Sequence, residues 1–579
     1  MTAAEQLITE NLHIWTSAVQ MKSASGRGKS NKLELYGIKK LRELILELAV
    51  RGLLVPQDSK DESADTCLAR ARAALLSKGK GERRSAWKKS AEVTDEEQRF
   101  SLPTGWVWAR VNDTGFYVNG LAFKTADWGD RGKPIIRIQN LTDASKPMNF
   151  VQGEFPEEVT VRGGDLLVSW SATLDAYIWD RDEAVLNQHI FKVGPCEELI
   201  MPRFLYWLLK VSILEMKQSE HAHGLVMTHI NRGPFLAHVV AIPPIAEQSR
   251  IVAKVDELMA LCDQLEQQQE ASITAHQTLV QTLLEALTTA SERDDLNAAW
   301  ARIAEHFDTL FTTEWSIDQL KQCILQLAVM GKLVPQDPND EPASELLKKI
   351  AAEKALLVKD GKIKKQRALP AIEENEKPFQ LPEGWEWIRL GDYSYVFSGN
   401  SFKSEDFTDQ GGVRVIKITN AGVGEFIETD DFLPTSFLKE YAGYRVSEGD
   451  LILALTRPYI STGLKISPCP SSYDNSLLNQ RVASIRAFMD THFLYQYMQS
   501  VYVLGVYRER FGSSGLQPNL KMGDVTNLVI PVPSEKEQKR IVAKVDELMD
   551  ICDNLKSQIN SAQTTQLQLA DAIAKEALH

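Results

Sequence analysis

The chain repeats itself at long range, and this constrains its fold more than any other feature. Leu41–Asp58 reads LRELILELAVRGLLVPQD and Leu320–Asp337 reads LKQCILQLAVMGKLVPQD, identical at 12 of 18 positions with an offset of 279. Phe100–Asp113 (FSLPTGWVWARVND) and Phe379–Asp392 (FQLPEGWEWIRLGD) agree at 8 of 14 positions with the same offset. Arg250–Met259 and Arg540–Met549 both read RIVAKVDELM. The blocks occur in the same order in both halves of the 579 residues, so a short-period solenoid is excluded. The segments between them match far less. GLAFKTADW from Gly120 faces GNSFKSEDF from Gly399, and PIIRIQNL from Pro134 faces VRVIKITN from Val413. Gly164-Asp165-Leu166 faces Gly449-Asp450-Leu451, and Leu186-Asn187-Gln188 faces Leu478-Asn479-Gln480. The physical reading is one fold used twice on two different targets.

Local patterns supply the pieces. Leu41, Leu44, Ile45 and Leu48 recur at i, i+3, i+4, i+7 and predict an amphipathic helix stopped by Gly52 and Pro56. The copy has Leu320, Cys323, Ile324 and Leu327, then Gly331 and Pro335. Each divergent segment opens with Leu-Pro-x-Gly-Trp-x-Trp. Its tryptophans alternate as on a strand with one buried face, so Trp106, Trp108, Trp385 and Trp387 read as core residues rather than base-stacking platforms. Pro134–Ile138 and Val413–Ile418 predict strands, and Phe204–Leu214 and Phe493–Leu504 predict helices. Each domain ends in a proline cluster, Ile242-Pro243-Pro244 or Ile530-Pro531-Val532-Pro533, and a long helix follows.

In the second long helix Ile541, Val545, Leu548, Cys552, Leu555, Ile559, Ala562, Gln566, Leu569 and Ile573 form a heptad seam. The first carries Ile251, Val255, Leu258, Cys262 and Leu265, turns polar at Gln269, Ser272 and His276, and resumes at Leu279 and Leu283. Matching seams of about 40 residues, roughly 60 Å, predict that the two helices pack antiparallel. Cys262 and Cys552 are expected as small apolar knobs on that seam. The expected fold class is α+β: two mixed α/β domains related by a pseudo-twofold duplication and joined by long antiparallel coiled-coil helices.

Composition narrows the function by exclusion. The chain has 65 Lys+Arg against 78 Asp+Glu, a net charge of −13, which is not the basic footprint of the usual nucleic-acid-binding domain. Hydrophobic residues at 44% exclude global disorder. There is no apolar run long enough for a spanning helix and no secretory pattern at the start. Six cysteines without paired spacing predict reduced thiols and a cytoplasmic protein without membrane partners. The nearest approach to a phosphate loop, Gly28-Lys29-Ser30, has Ser23 where the first glycine belongs. No H-E-x-x-H or C-x-x-C occurs, and His221 and His223 lack a second ligand pair, so no metal site is expected. Ile242 precedes Pro243-Pro244 where an adenine methyltransferase carries Asn or Asp, and the glycine-rich Phe511–Gly515 lacks a Rossmann context. A duplicated chain without an active site is expected to bind and position rather than to catalyse. The runs KGKGERRSAWKK from Lys78 and KDGKIKKQR from Lys359 fit solvated linkers, with phosphate contact as the functional alternative.

The series of Leu-Pro-x-Gly-Trp-x-Trp, Gly-Asp-Leu, Asn-Gln, Pro-Pro-x-x-Glu-Gln (Pro533-Ser534-x-x-Glu-Gln in the second copy) and Arg-Ile-Val-Ala-Lys-Val-Asp-Glu-Leu, run through twice, resembles the specificity subunits of type I restriction-modification enzymes. The resemblance covers nearly the whole chain. It implies two target recognition domains, 100–245 and 379–533. Around them lie an N-terminal helical region and linker (1–99), a central region with the first long helix and a linker (246–378), and a C-terminal helix (534–579). It also implies a bipartite double-stranded DNA target, two methyltransferase subunits and two motor-nuclease restriction subunits. S-adenosylmethionine, ATP and Mg would belong to those partners, and this chain would hold no cofactor.

DNA reading needs Arg, Lys, Asn or Gln on loops that reach a groove. Residues 100–242 carry 13 Lys+Arg against 16 Asp+Glu, and residues 379–533 are again more acidic than basic, so any DNA face must be a local cluster. The candidates in the first domain are Lys124, Arg137, Gln139, Asn140, His229, Asn231 and Arg232. In the second they are Lys403, Lys417, Asn420, Arg457, Arg508, Arg510, Gln517, Asn519 and Lys521. Lys124 and Lys403 occupy matched positions and suit phosphate better than sequence. The rival reading is a duplicated coiled-coil adaptor that binds only proteins, which acidic charge and long seams favour.

Overall fold

The computed structural model describes residues 3–21, 33–78, 87–222, 229–408, 411–460, 462–488, 490–511 and 518–578. Four helices organise it: α1 (Tyr36–Arg51), α2 (Ile245–Thr289), α3 (Glu314–Val329) and α4 (Glu535–Glu576). The chain divides into two compact units, one of Met1–Ile273 with Ala562–His579, the other of Thr274–Ser561. Each unit therefore holds one short helix and parts of both long ones.

In the first unit, α1 buries Leu41, Leu44, Ile45 and Leu48, the face its periodicity predicts. Gly52 ends it at φ +72° and donates its N–H to the Leu48 carbonyl. A Cβ there would lie 2.6 Å from Pro103 and 2.9 Å from Trp106, so the end of α1 is pressed against the Leu-Pro-x-Gly-Trp block. Trp106 donates Nε1–H to Glu247 Oε2 at 3.1 Å, and Gln57 donates Nε2–H to Glu247 Oε1 at 3.2 Å. Three blocks far apart in sequence thus close on one buried glutamate. Burial raises the Glu247 carboxyl above its ordinary range.

The second unit repeats this junction. Gly331, at φ +70°, would place a Cβ 2.5 Å from Pro382 and 3.0 Å from Trp385. Trp385 and Gln336 donate to Glu537 at 3.0 and 2.7 Å, and burial raises its carboxyl too. The salt bridges are matched as well: Arg250 with Asp61, and Arg540 with Asp340. Arg42 pairs with Asp263, and Lys321 with Asp553.

Each unit combines helix and sheet. In the first, an antiparallel sheet runs 115–119, 190–195, 166–169, 175–178, and a mixed sheet runs 149–151, 133–136, 184–186, 160–161. Its one parallel pair joins Lys133–Ile136 to Ala184–Leu186. The second unit has the same order at 394–398, 482–487, 451–454, 466–468, and a three-stranded counterpart at 432–433, 413–416, 477–478. Val107–Arg110 pairs with Val239–Ile242, and Glu386–Arg389 with Val529–Val532, so the first and last strands of each domain lie together. Trp106 and Trp385 are buried, whereas Trp108 and Trp387 are half-buried against Phe100 and Phe379. The helix read at Phe204 extends over Pro202–Ala222, whereas its counterpart is broken into Thr491–Met498 and Val501–Phe511.

The long helices depart from the heptad reading in one respect. Ile251, Val255, Leu258 and Cys262 are buried, as are Ile541, Val545 and Cys552. Farther along, Leu279 and Leu569 are 51% and 44% exposed, while their neighbours Val280 and Ala570 are 1% and 0% exposed. A 3.5-residue pattern drifts about 20° per heptad on a straight 3.6-residue helix, so the buried face moves by one residue. All six cysteines are buried thiols, and burial pushes Cys262 up to about 11. No described helix is long and apolar enough to cross a membrane.

Candidate nucleic-acid interface

The repeated Leu-Asn-Gln elements are where the divergent segments converge. In the first unit the Asn187 N–H donates to the Ile136 carbonyl at 3.1 Å, and the Gln188 N–H to the Leu121 carbonyl at 2.7 Å. Trp170 donates to the His189 carbonyl at 3.0 Å, and Ile230 to the Trp170 carbonyl at 2.8 Å. The second unit repeats each bond. Asn479 donates to Ile416, Gln480 to Asn400, Leu455 to Arg481 and Leu520 to Leu455, at 2.9, 2.8, 2.8 and 2.7 Å. The asparagine side chain holds the turn in both, accepting from the following N–H at 2.9 and 2.8 Å. Gly120 and Gly399 are needed because a Cβ at either would lie 2.1 Å from the Asn187 or Asn479 carbonyl oxygen.

This convergence gathers much of the candidate set. Lys124 and Arg137 follow the chain at Leu121 and Ile136, and Lys403 and Lys417 follow it at Asn400 and Ile416. His229 bridges Ser171, and Asn519 bridges Thr456, so the segments carrying Asn231, Arg232 and Lys521 border the same turns. His229, Asn231, Arg232, Arg457, Asn519 and Lys521 are all exposed. Lys124 and Lys403 are exposed at the head of matched short turns capped by Asp127 and Asp406.

Other candidates are engaged within the fold. Arg137 lies 4.9 Å over the Trp128 ring and donates to Asn149, with Gln139 half-buried beside it. Lys417 pairs with Asp431 and lies 4.3 Å over the Phe407 ring. Arg510 pairs with Asp524 at 3.0 Å, and Arg508 lies 5.9 Å over the Tyr459 ring. Asn140 and Asn420 are corrections, because both are fully buried. Their Oδ1 atoms accept from the Arg137 and Lys417 N–H groups. Their Nδ2 groups donate to the Lys146 and Pro147 carbonyls and to Ile427 and Thr429. A fully buried side chain whose amide is bonded inside a turn cannot reach a base edge. Gln517 lies outside the described residues.

The same turns also carry residues outside the candidate set: Gln188 and Gln480, which are exposed, and the next positions, His189 and Arg481. Their signal was the repeated Leu-Asn-Gln itself, followed by unlike residues in the two copies. Gly-Asp-Leu is structural. Asp165 accepts from the Arg162 N–H and pairs with Lys192, and the buried Asp450 accepts from Ser447 and pairs with Arg486. Among the described residues no group of His, Cys, Asp and Glu is placed to hold a metal.

The duplicated scaffold thus carries unlike side chains beside equivalent turns. The family model of the type I restriction modification DNA specificity domain matches residues 103–275 and again 382–563. The chain is 40% identical to the type I restriction enzyme EcoAI specificity subunit of Escherichia coli, over the full length of both chains. It is 36% identical to the EcoEI specificity subunit of the same organism, again over both full lengths. Among solved structures, the HsdS subunit from Thermoanaerobacter tengcongensis aligns with 83% of this chain and 98% of its own, at 16% identity and a TM-score of 0.39. The chain belongs to the type I restriction-modification specificity subunits.

Proposed function

We propose that each unit reads one half of a bipartite double-stranded DNA target, through residues 100–245 in the first and 379–533 in the second. The carrying observation is that the two Asn-Gln turns share every backbone bond described above yet are followed by different side chains, His189 in one and Arg481 in the other. Common scaffolding fixes the position of a reader, and the residues placed on it choose the base. The acidic balance argues for a partner that supplies much of the phosphate contact. The chain itself is non-catalytic and holds no cofactor. It docks two methyltransferase and two restriction subunits in the cytoplasm. S-adenosylmethionine, ATP and Mg bind to those subunits, which carry out methyl transfer, translocation and cleavage.

The long helices serve as the ruler between half-sites and run antiparallel. Supporting this, the start of α2 and the end of α4 share one hydrophobic cluster, and the end of α2 and the start of α4 share another. The experiment is a domain exchange. Residues 100–245 are replaced by the matching domain of a relative, and the methylated motif is sequenced from cells that carry the methyltransferase partner. One half of the motif is expected to change while the other half stays. A motif that changes in both halves, or in neither, rejects the two-reader assignment.

A further inference from the structure

Five non-glycine residues among those described hold a left-handed backbone: Ala172, His189, Arg457, Asn475 and Arg481, at φ +57°, +73°, +49°, +63° and +68°. Asparagine tolerates this conformation. The other four are matched across the duplication. Ala172 and Arg457 follow the Gly-Asp-Leu strands, and His189 and Arg481 follow the Asn-Gln turns. Within each unit the pair sits at one corner, held by the Trp170–His189 and Leu455–Arg481 backbone bonds. The Arg457 N–H also donates to the Pro518 carbonyl at 2.8 Å.

Glycine would adopt these angles without the Cβ penalty. The same fold uses glycine freely elsewhere, as at Gly164 and Gly449, which hold positive φ with open space around them. A side chain kept where the backbone favours none is a side chain in use. Arg457 and Arg481 are exposed, and neither guanidinium has a hydrogen-bond or ion-pair partner among the described residues. Arg389, Arg486 and Arg510 of the same domain are paired with Glu376, Asp450 and Asp524. In the first unit the His189 ring meets Trp170 edge-on at 4.6 Å, and its Nδ1 is buried without a partner among the described residues.

We propose that these left-handed corners are the specificity-determining positions of the two domains. Arg481 and Arg457 present guanidiniums to guanine edges in the half-site read by the second domain, since the planar fork matches O6 and N7 of guanine. His189 presents its imidazole in the half-site read by the first domain, and Ala172 leaves room beside it. This rests on the DNA-reading function proposed above and assigns its residues.

The test uses the full chain with its methyltransferase partner, and reads both the methylated motif and the melting temperature. Arg481→Gly is expected to melt at the same temperature or higher, because the backbone strain is relieved. It should lose preference at one position of the second half-site by about tenfold or more, with the first half-site intact. Arg481→Gln is expected to shift that position from guanine toward adenine. His189→Gly should relax one position of the first half-site only. A motif unchanged at every position in Arg481→Gly overturns the proposal. So does a lower melting temperature, or relaxation of both halves together. A wild-type complex without any sequence preference would instead reject the DNA-reading function itself.

Discussion

The motif junction and the reading corner treat the duplication in opposite ways. At the junction both the backbone and the chemistry are kept: glycine against proline and tryptophan, and tryptophan and glutamine on a buried glutamate, in both units. At the corner the backbone bonds are kept and the side chains are not, with Ala172 and His189 in one unit and Arg457 and Arg481 in the other. The comparison separates what builds a reader from what it reads. A residue needed for packing is held by several neighbours at once. At the corner, Arg457 and Arg481 are fixed through their main chains while their side chains stay exposed.

The largest expected effect lies at the junction. Gly331→Val puts a branched side chain where the backbone is left-handed and where even a Cβ lies 2.5 Å from Pro382. We expect a loss of about 3 kcal/mol or more of stability, combining strain with overpacking. Gly52→Val should do the same in the first unit. Thermal unfolding followed by limited proteolysis checks both. A variant that melts like wild type would show that the junction is looser than its geometry.

A smaller effect comes from the buried glutamate. The two carboxyl oxygens can accept from both donors in either protonation state, whereas a glutamine turns an NH₂ group toward one of them. Glu537→Gln should therefore cost about 1–3 kcal/mol at neutral pH. Because burial raises the folded-state pKa of Glu537, the folded protein holds this proton more tightly than the unfolded chain. That contribution to stability is present below the unfolded value and is lost as pH rises through the folded one. The advantage of wild type over Glu537→Gln should thus shrink from acid toward neutral pH, as measured by denaturant unfolding across that range. An advantage that grows instead would mean the carboxyl is not raised.

Much of the fold was legible because the duplication prints it twice. Block order, helix ends at Gly52 and Gly331, and the strand opening at Trp106 and Trp385 all follow from residues whose physical role is local. The reading corner was not legible in the same way. It is assembled by backbone bonds that join Trp170 to His189 and Ile230 to Trp170, and no local pattern announces such a closure. Composition also misled. Asn140 and Asn420 have the side chain of a base reader, but the same amide suits the inside of a turn, and burial decides between the two uses.

The smallest expected effect concerns the long helices. The heptad pattern assigns Leu279 and Leu569 to the buried seam, whereas both are exposed and Val280 and Ala570 are buried in their place. Leu279 and Leu569 are equivalent, as are Val280 and Ala570, so the slip occurs at the same point of both copies. The cause is geometric, since a straight helix cannot keep a 3.5-residue stripe on one face over several heptads. Leu569→Gln should then change stability by no more than about 0.5 kcal/mol, the range of an ordinary surface substitution. Ala570→Gln, one residue on, should cost several times that, because it forces a polar side chain into a fully buried position. Leu279→Gln and Val280→Gln should repeat the contrast in α2. Melting temperatures of the four variants decide the matter. If Leu569→Gln were the damaging substitution of its pair, the helices would be supercoiled and the stripe unbroken to the end of α4.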